Sequence, residues 1–206
     1  MTVTDLDPIE VAGRGWAETS QHTGSLDHVY DPMLVDRATF DRRVSLRYVD
    51  MNAIPPDLTD YDFCWSICSL EHLGSIAHGL DFVENSLKTL KPGGYAIHTT
   101  EFNFLETDQT IDNWPTVLFL RKHFEELAAR LQRSGHWVAP LDFNLGEGVL
   151  DRFVDLPPFE PTPDEDKTGG WITRVNWRQT DGVAHIKAAI DGFASTCYGL
   201  VIQKAS

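Results

Sequence analysis

The sequence predicts an α/β fold: a mainly parallel sheet with flanking helices and an antiparallel last strand. Ser45–Val49 and Tyr61–Cys68 are short runs rich in Val, Tyr, Phe, Trp and Ile, the composition of buried strands. Between Ser75 and Lys91 the period becomes helical, with Ile76, Leu80, Val83, Leu87 and Leu90 on one stripe. Lys91-Pro92-Gly93-Gly94 then stops the helix and turns the chain into a strand at Tyr95–Thr100. Strand, crossover helix and strand make a right-handed βαβ unit and hence parallel pairing. Ligands of such sheets collect at the carboxyl ends of the strands. There the chain places Asp50-Met51-Asn52, Ser69-Leu70-Glu71-His72 and Glu101-Phe102-Asn103.

Composition sets the outer bounds. A chain of 206 residues is one domain by size, long enough for a sizeable core. Its 17 Lys+Arg against 31 Asp+Glu give a formal net charge of -14, a surface that repels phosphate backbones and argues against nucleic acid as a partner. The three cysteines, Cys64, Cys68 and Cys197, form no even framework and read as reduced thiols of a cytoplasmic protein. Without a second Cys pair, the spacing of Cys64 and Cys68 does not call for zinc, so no metal is expected. No apolar run is long enough to span a bilayer, so no membrane partner is expected.

In order along the chain, Thr2-Val3-Thr4 reads as the end of a strand, followed by Asp5-Leu6-Asp7-Pro8 at its carboxyl edge. Pro8 suits a first helical turn, and Ile9–Thr19 is a helix weakened by Gly13 and Gly15. Ser20–Pro32 is polar and irregular, a surface loop or a lid with His22, His28 and Tyr30 as donors. Arg37–Arg43 is a short helix leading into the strand that ends at Val49. Phe124, Leu127, Ala128 and Leu131 mark a helix closed by Ser134-Gly135, and His136–Asn144 is the next strand. Phe102, Phe104 and Leu105 read as core, whereas Glu101, Asn103 and Trp114 are candidates for lining a substrate pocket. Asp151–Gly170 is acidic, proline-rich and aperiodic, an exposed insertion. Gly192–Lys204, preceded by the apolar segment His185–Ile190, is the antiparallel last strand.

The runs D-M-N-A-I-P, YDFCWSICSLEHL and LKTLKPGGYAIHTTE, in this order and spacing, resemble the middle of a class I S-adenosylmethionine-dependent methyltransferase, a Rossmann-like fold. They cover roughly a quarter of the chain. The resemblance implies S-adenosyl-L-methionine as cofactor and a small-molecule methyl acceptor, with the oligomeric state left open. It places Asp5, with Asp7 as alternate, at the ribose, because a carboxylate accepts from two vicinal hydroxyls at once. Asp50, Met51 and Asn52 fall at the adenine, and Ser69 joins the cofactor contacts. Each of these aspartates is equally suited to cap a turn or a helix. Methyl transfer is an in-line displacement in which the enzyme chiefly aligns the nucleophile. A hydroxyl nucleophile also needs a base, for which His72 is the candidate, with Glu71 positioning it or capping the helix that follows.

The family also carries a first strand, a glycine-rich loop and a helix ahead of its second strand. This chain starts after that point, and Gly13-Arg14-Gly15 does not supply the loop. In the family that first strand lies between the second and the fourth, so an N-terminally incomplete sheet is expected. Two explanations stand: a truncated form of a longer methyltransferase, or a rearranged sheet that pairs the second strand directly with the fourth. The non-enzyme alternative is a methyltransferase-like binding module without catalysis.

Overall fold

A computed structural model describes residues 1–13, 22–105, 107–113, 115–148, 150–152, 154–156 and 187–206. The described chain divides into two compact units, Met1–Leu58 and Thr59–Ser206.

In the first unit, β1 (Thr2–Asp5) runs into α1 (Pro8–Gly13), and α2 (Arg37–Arg43) runs into β2 (Ser45–Tyr48). β1 and β2 pair in parallel, Thr2 opposite Ser45 and Asp5 opposite Tyr48. Asp36 starts α2 by accepting the Thr39 amide at 2.9 Å, an N-cap that satisfies an otherwise orphaned donor. Both strands therefore end on the same edge, Asp5 closing one and Asp50 following the other.

In the second unit, β3 (Tyr61–Ile67), α3 (Ile76–Ser86) and β4 (Leu90–Asn103) form the expected βαβ unit, β3 parallel to β4. Ser75 caps α3 through the His78 amide, and a 3-10 turn at Leu87–Thr89 ends it. β4 begins at Leu90 rather than after the glycines. Gly93 takes φ +77° and lets Lys91-Pro92-Gly93-Gly94 pass as an irregularity within the strand. Downstream lie a small ladder of β5 (Asp112–Asn113) and β6 (Thr116–Val117), then α4 (Arg121–Arg133) and β7 (Trp137–Val138). The strand expected over His136–Asn144 is thus two residues long. β8 (Lys187–Ile190) and β9 (Phe193–Gln203) complete the unit.

The sheet order is β3-β4-β9-β7, with β9 antiparallel to β4, β7 and β8, so the last strand is antiparallel as expected. Among the described residues β1 pairs only β2, and β3 pairs only β4. No described helix is long and apolar enough to cross a membrane.

The core of this unit lies between the sheet and the helices. α4 buries Phe124, Leu127, Ala128 and Leu131, the stripe read from the sequence. α3 buries Leu80, Phe82 and Val83. Gly79 lets α3 approach closely: a Cβ there would stand 2.6 Å from the Phe119 ring and 2.8 Å from the Leu70 carbonyl oxygen. β3 departs from the buried strand expected of it. Phe63, Trp65 and Ile67 are 58 %, 57 % and 69 % exposed: successive side chains point to opposite faces, and Cys64 and Ser66 take the side toward Ser86. Leu105, expected in the core, is also exposed.

His98 holds the covered side together. Its ring is 1 % exposed and lies between Ser66 Oγ at 2.8 Å and Ser86 Oγ at 3.1 Å. The Ser86 hydroxyl donates to the Val83 carbonyl at 2.7 Å, so it accepts from His98 Nε2–H. Nδ1 is then the acceptor for the Ser66 hydroxyl, and the ring is neutral.

Candidate functional site

In the first unit the candidate residues gather at the shared carboxyl edge of β1 and β2. Asp5 Oδ1 accepts the Leu6 amide at 2.7 Å and Oδ2 accepts the Thr23 amide at 2.6 Å. The latter bond ties the polar loop across the strand end, and the Tyr48 hydroxyl secures it by donating to the Gly24 carbonyl at 3.2 Å. Asp7 accepts the Ile9 amide at 2.8 Å and so starts α1. Asp50 Oδ1 accepts the Asn52 amide at 2.8 Å, capping the 3-10 turn Met51–Ala53. Met51 is half-buried and Asn52 exposed. Both readings of the aspartates thus coexist, since a carboxylate holds about four acceptor sites and each cap uses one or two.

Beside Thr23, the Nε2 atom of His22 is buried without a hydrogen-bond partner among the described residues. A buried polar atom in that state costs stability unless something completes it. Asp5 and Asp50, which close this edge, could accept from the hydroxyls and the amine of an adenosine group. No described residue is assigned to the methionine end of such a cofactor.

In the second unit the candidates gather at the ends of β3 and β4. The backbone of Cys68 turns left-handed at φ +43°, and the 3-10 turn Leu70–His72 follows. Ser69 Oγ donates to the Ile67 carbonyl at 2.9 Å. Glu71 is 1 % exposed and accepts from the Thr100 hydroxyl at 3.0 Å. Burial, and behind it the nearby Glu101 carboxylate, push the Glu71 carboxyl up to about 7. His72 donates from Nδ1 to the Pro115 carbonyl at 2.9 Å. Glu101 accepts from the Ser195 hydroxyl on β9.

Asn103 is buried and its amide is spent inside the chain. Nδ2 donates to the Gln109 carbonyl at 3.3 Å, and Oδ1 accepts the Leu105 amide at 3.0 Å. It therefore builds the loop after β4. Trp114 lies outside the described residues, as does most of the insertion expected over Asp151–Gly170.

The structure thus brings Glu71 and Glu101 together and places Asp5 and Asp50 on one edge. Sequence reasoning missed Cys68, which joins the two glutamates: one ligand atom from each of the three residues lies within 4.8 Å of the others. It also missed Ser195. Neither had a local signal, because both become neighbours only through the β3–β4 and β4–β9 ladders.

No protein-family model matches the chain, and no curated protein matches it. Among solved structures it is similar to the cyclase SpnF at 15 % identity and a TM-score of 0.48, covering 99 % of this chain and 66 % of that one. An O-methyltransferase family protein from Burkholderia thailandensis is 10 % identical with a TM-score of 0.44, over 100 % of this chain and 43 % of that one. An S-adenosylmethionine-dependent methyltransferase from Mesorhizobium loti is 11 % identical with a TM-score of 0.43, over 98 % and 79 %. The chain therefore spans less than two thirds of the length of the first two. Several solved structures to which the chain is similar are thus methyltransferases, at identities of 10–12 %.

Proposed function

We propose that the chain belongs to an S-adenosylmethionine-dependent methyltransferase acting on a small-molecule acceptor. The observation that carries this reading is the parallel β1–β2 pair ending on two aspartates, Asp5 and Asp50, at one edge. Ligands of parallel α/β sheets bind at that edge. The cofactor supplies an electrophilic methyl group on a sulfonium. Asp5 would accept from the ribose hydroxyls, and Asp50 from the adenine amine, with Met51 and Asn52 beside the ring.

On the second unit, His72 is the proposed base. The Pro115 carbonyl holds its Nδ1–H and fixes the ring, and the proposed part of His72 is to take a proton from an acceptor hydroxyl as the new bond forms. Glu71 has a positioning role, bracing the turn against β4 through Thr100. The strongly acidic surface supports a small acceptor over nucleic acid.

Calorimetric titration with S-adenosylhomocysteine tests the reading. Saturable binding is expected, weakened about tenfold to a hundredfold by Asp50→Ala, the loss of a charge-assisted hydrogen bond. Asp50→Asn keeps a cap on the Met51–Ala53 turn while removing the charge, and it should weaken binding in the same direction. A folded protein that does not bind would favour the binding-module alternative.

A further inference from the structure

We propose that Cys68, Glu71 and Glu101 form a binding site for a thiophilic divalent cation of the zinc type. The inference stands on the geometry of the second unit and does not rest on the methyltransferase reading. One donor atom from each of the three side chains lies within 4.8 Å of the other two. A tetrahedral ion bound by sulfur at 2.3 Å and oxygen at 2.0–2.2 Å needs donors on the order of 3.5 Å apart. Rotations of the two glutamate side chains supply that remaining approach. Cys197 stands directly opposite Glu101 on β9 and is near enough to act electrostatically on the Cys68 thiol.

The surroundings are one-signed. The carboxyl groups near Cys68 are Glu71 and Glu101, and Glu101 also acts on Glu71. Among the described residues no lysine or arginine forms an ion pair with either glutamate. Two carboxylates and a thiol converging without a cation are costly to ionise, and a divalent ion removes that cost. Both glutamates are already oriented from behind, Glu71 by Thr100 and Glu101 by Ser195, which is how outer partners fix metal ligands.

Thiol and carboxylates together favour a borderline-soft ion over magnesium or calcium, which prefer oxygen alone. Binding converts the Cys68 thiol to a thiolate and releases its proton to solvent.

Cobalt(II) is the probe, because a thiolate ligand gives it a charge-transfer absorption that carboxylates do not. The whole chain, stripped with a chelator, should take up one equivalent of cobalt with that absorption, and zinc should displace it. Cys68→Ser should abolish the band while Cys64→Ser leaves it unchanged, and Glu101→Gln should weaken cobalt binding tenfold or more. Circular dichroism establishes that each variant folds; should Cys68→Ser fail to fold, Glu101→Gln decides on the same readout. Absence of the band in folded wild-type protein would overturn the proposal. So would a band that persists in folded Cys68→Ser, or unweakened binding by folded Glu101→Gln.

Discussion

Replacing Phe124 by alanine is expected to cost about 3–5 kcal/mol, the largest single-residue effect in the second unit. Phe124 is 0 % exposed on the inner stripe of α4. Its ring stacks on Tyr198 at 4.4 Å and meets Phe119 at 5.6 Å and Phe102 at 5.9 Å. These partners come from β9, the segment before α4, and β4, so one side chain fastens the helix to two strands. Removing it deletes both the transfer free energy of a phenyl ring and the aromatic contacts, and it leaves a cavity whose rigid walls relax poorly. Small domains are stable by only about 5–15 kcal/mol, so the variant should lose a large fraction of its folded margin. Urea unfolding followed by circular dichroism measures it as a fall in the midpoint at unchanged slope. A loss under about 1 kcal/mol would show that these aromatic rings do not form a packed core.

The second large effect is a pH dependence centred on His98. Burial lowers the ring from its ordinary value of 6.5 to about 4 in the folded chain. As pH falls below 6.5 the unfolded chain takes up a proton that the folded chain refuses until about pH 4. The stabilisation is therefore present above pH 6.5 and lost as pH falls toward 4, by roughly 3 kcal/mol. His98→Gln keeps a donor and an acceptor between Ser66 and Ser86 but cannot titrate. At pH 7 it should be less stable than wild type by roughly 1–3 kcal/mol, the cost of poorer hydrogen bonds to buried hydroxyls. Near pH 4 that difference should vanish or reverse. A gap between the two proteins that stays constant from pH 7 to pH 4 would contradict the neutral buried ring.

What the sequence disclosed, and what it hid, follows the range of the interactions. The α4 stripe is a local periodicity and was legible in full. The α3 stripe was legible only to Val83, since the helix ends at Ser86, Leu87 lies in a 3-10 turn and Leu90 opens β4. Lys91-Pro92-Gly93-Gly94 was legible as a glycine break but not as an irregularity inside β4, because that depends on its parallel partner. The composition of β3 marked it as a strand without saying that one face would stay uncovered, since coverage belongs to other segments. At the site, the acidic strand ends stood out because they are short motifs. Cys68 did not. Its partners Glu71 and Glu101 come from a turn and the next strand, and a search for paired cysteines looks past a donor set of mixed chemistry. Asn103 illustrates the converse, a polar residue in the right place whose amide is consumed by its own loop.

The exposed row of Phe63, Trp65 and Ile67 on β3 has a colloidal consequence. Such a row, on a strand that pairs only β4 among the described residues, attracts other molecules at short range. The net charge of -14 opposes this at longer range. At about 0.1 M salt that repulsion reaches only about 10 Å, and at 1 M about 3 Å. Solubility is thus a contest between a fixed sticky surface and an adjustable ionic cushion, and the concentration the protein tolerates is set as much by the buffer as by the fold.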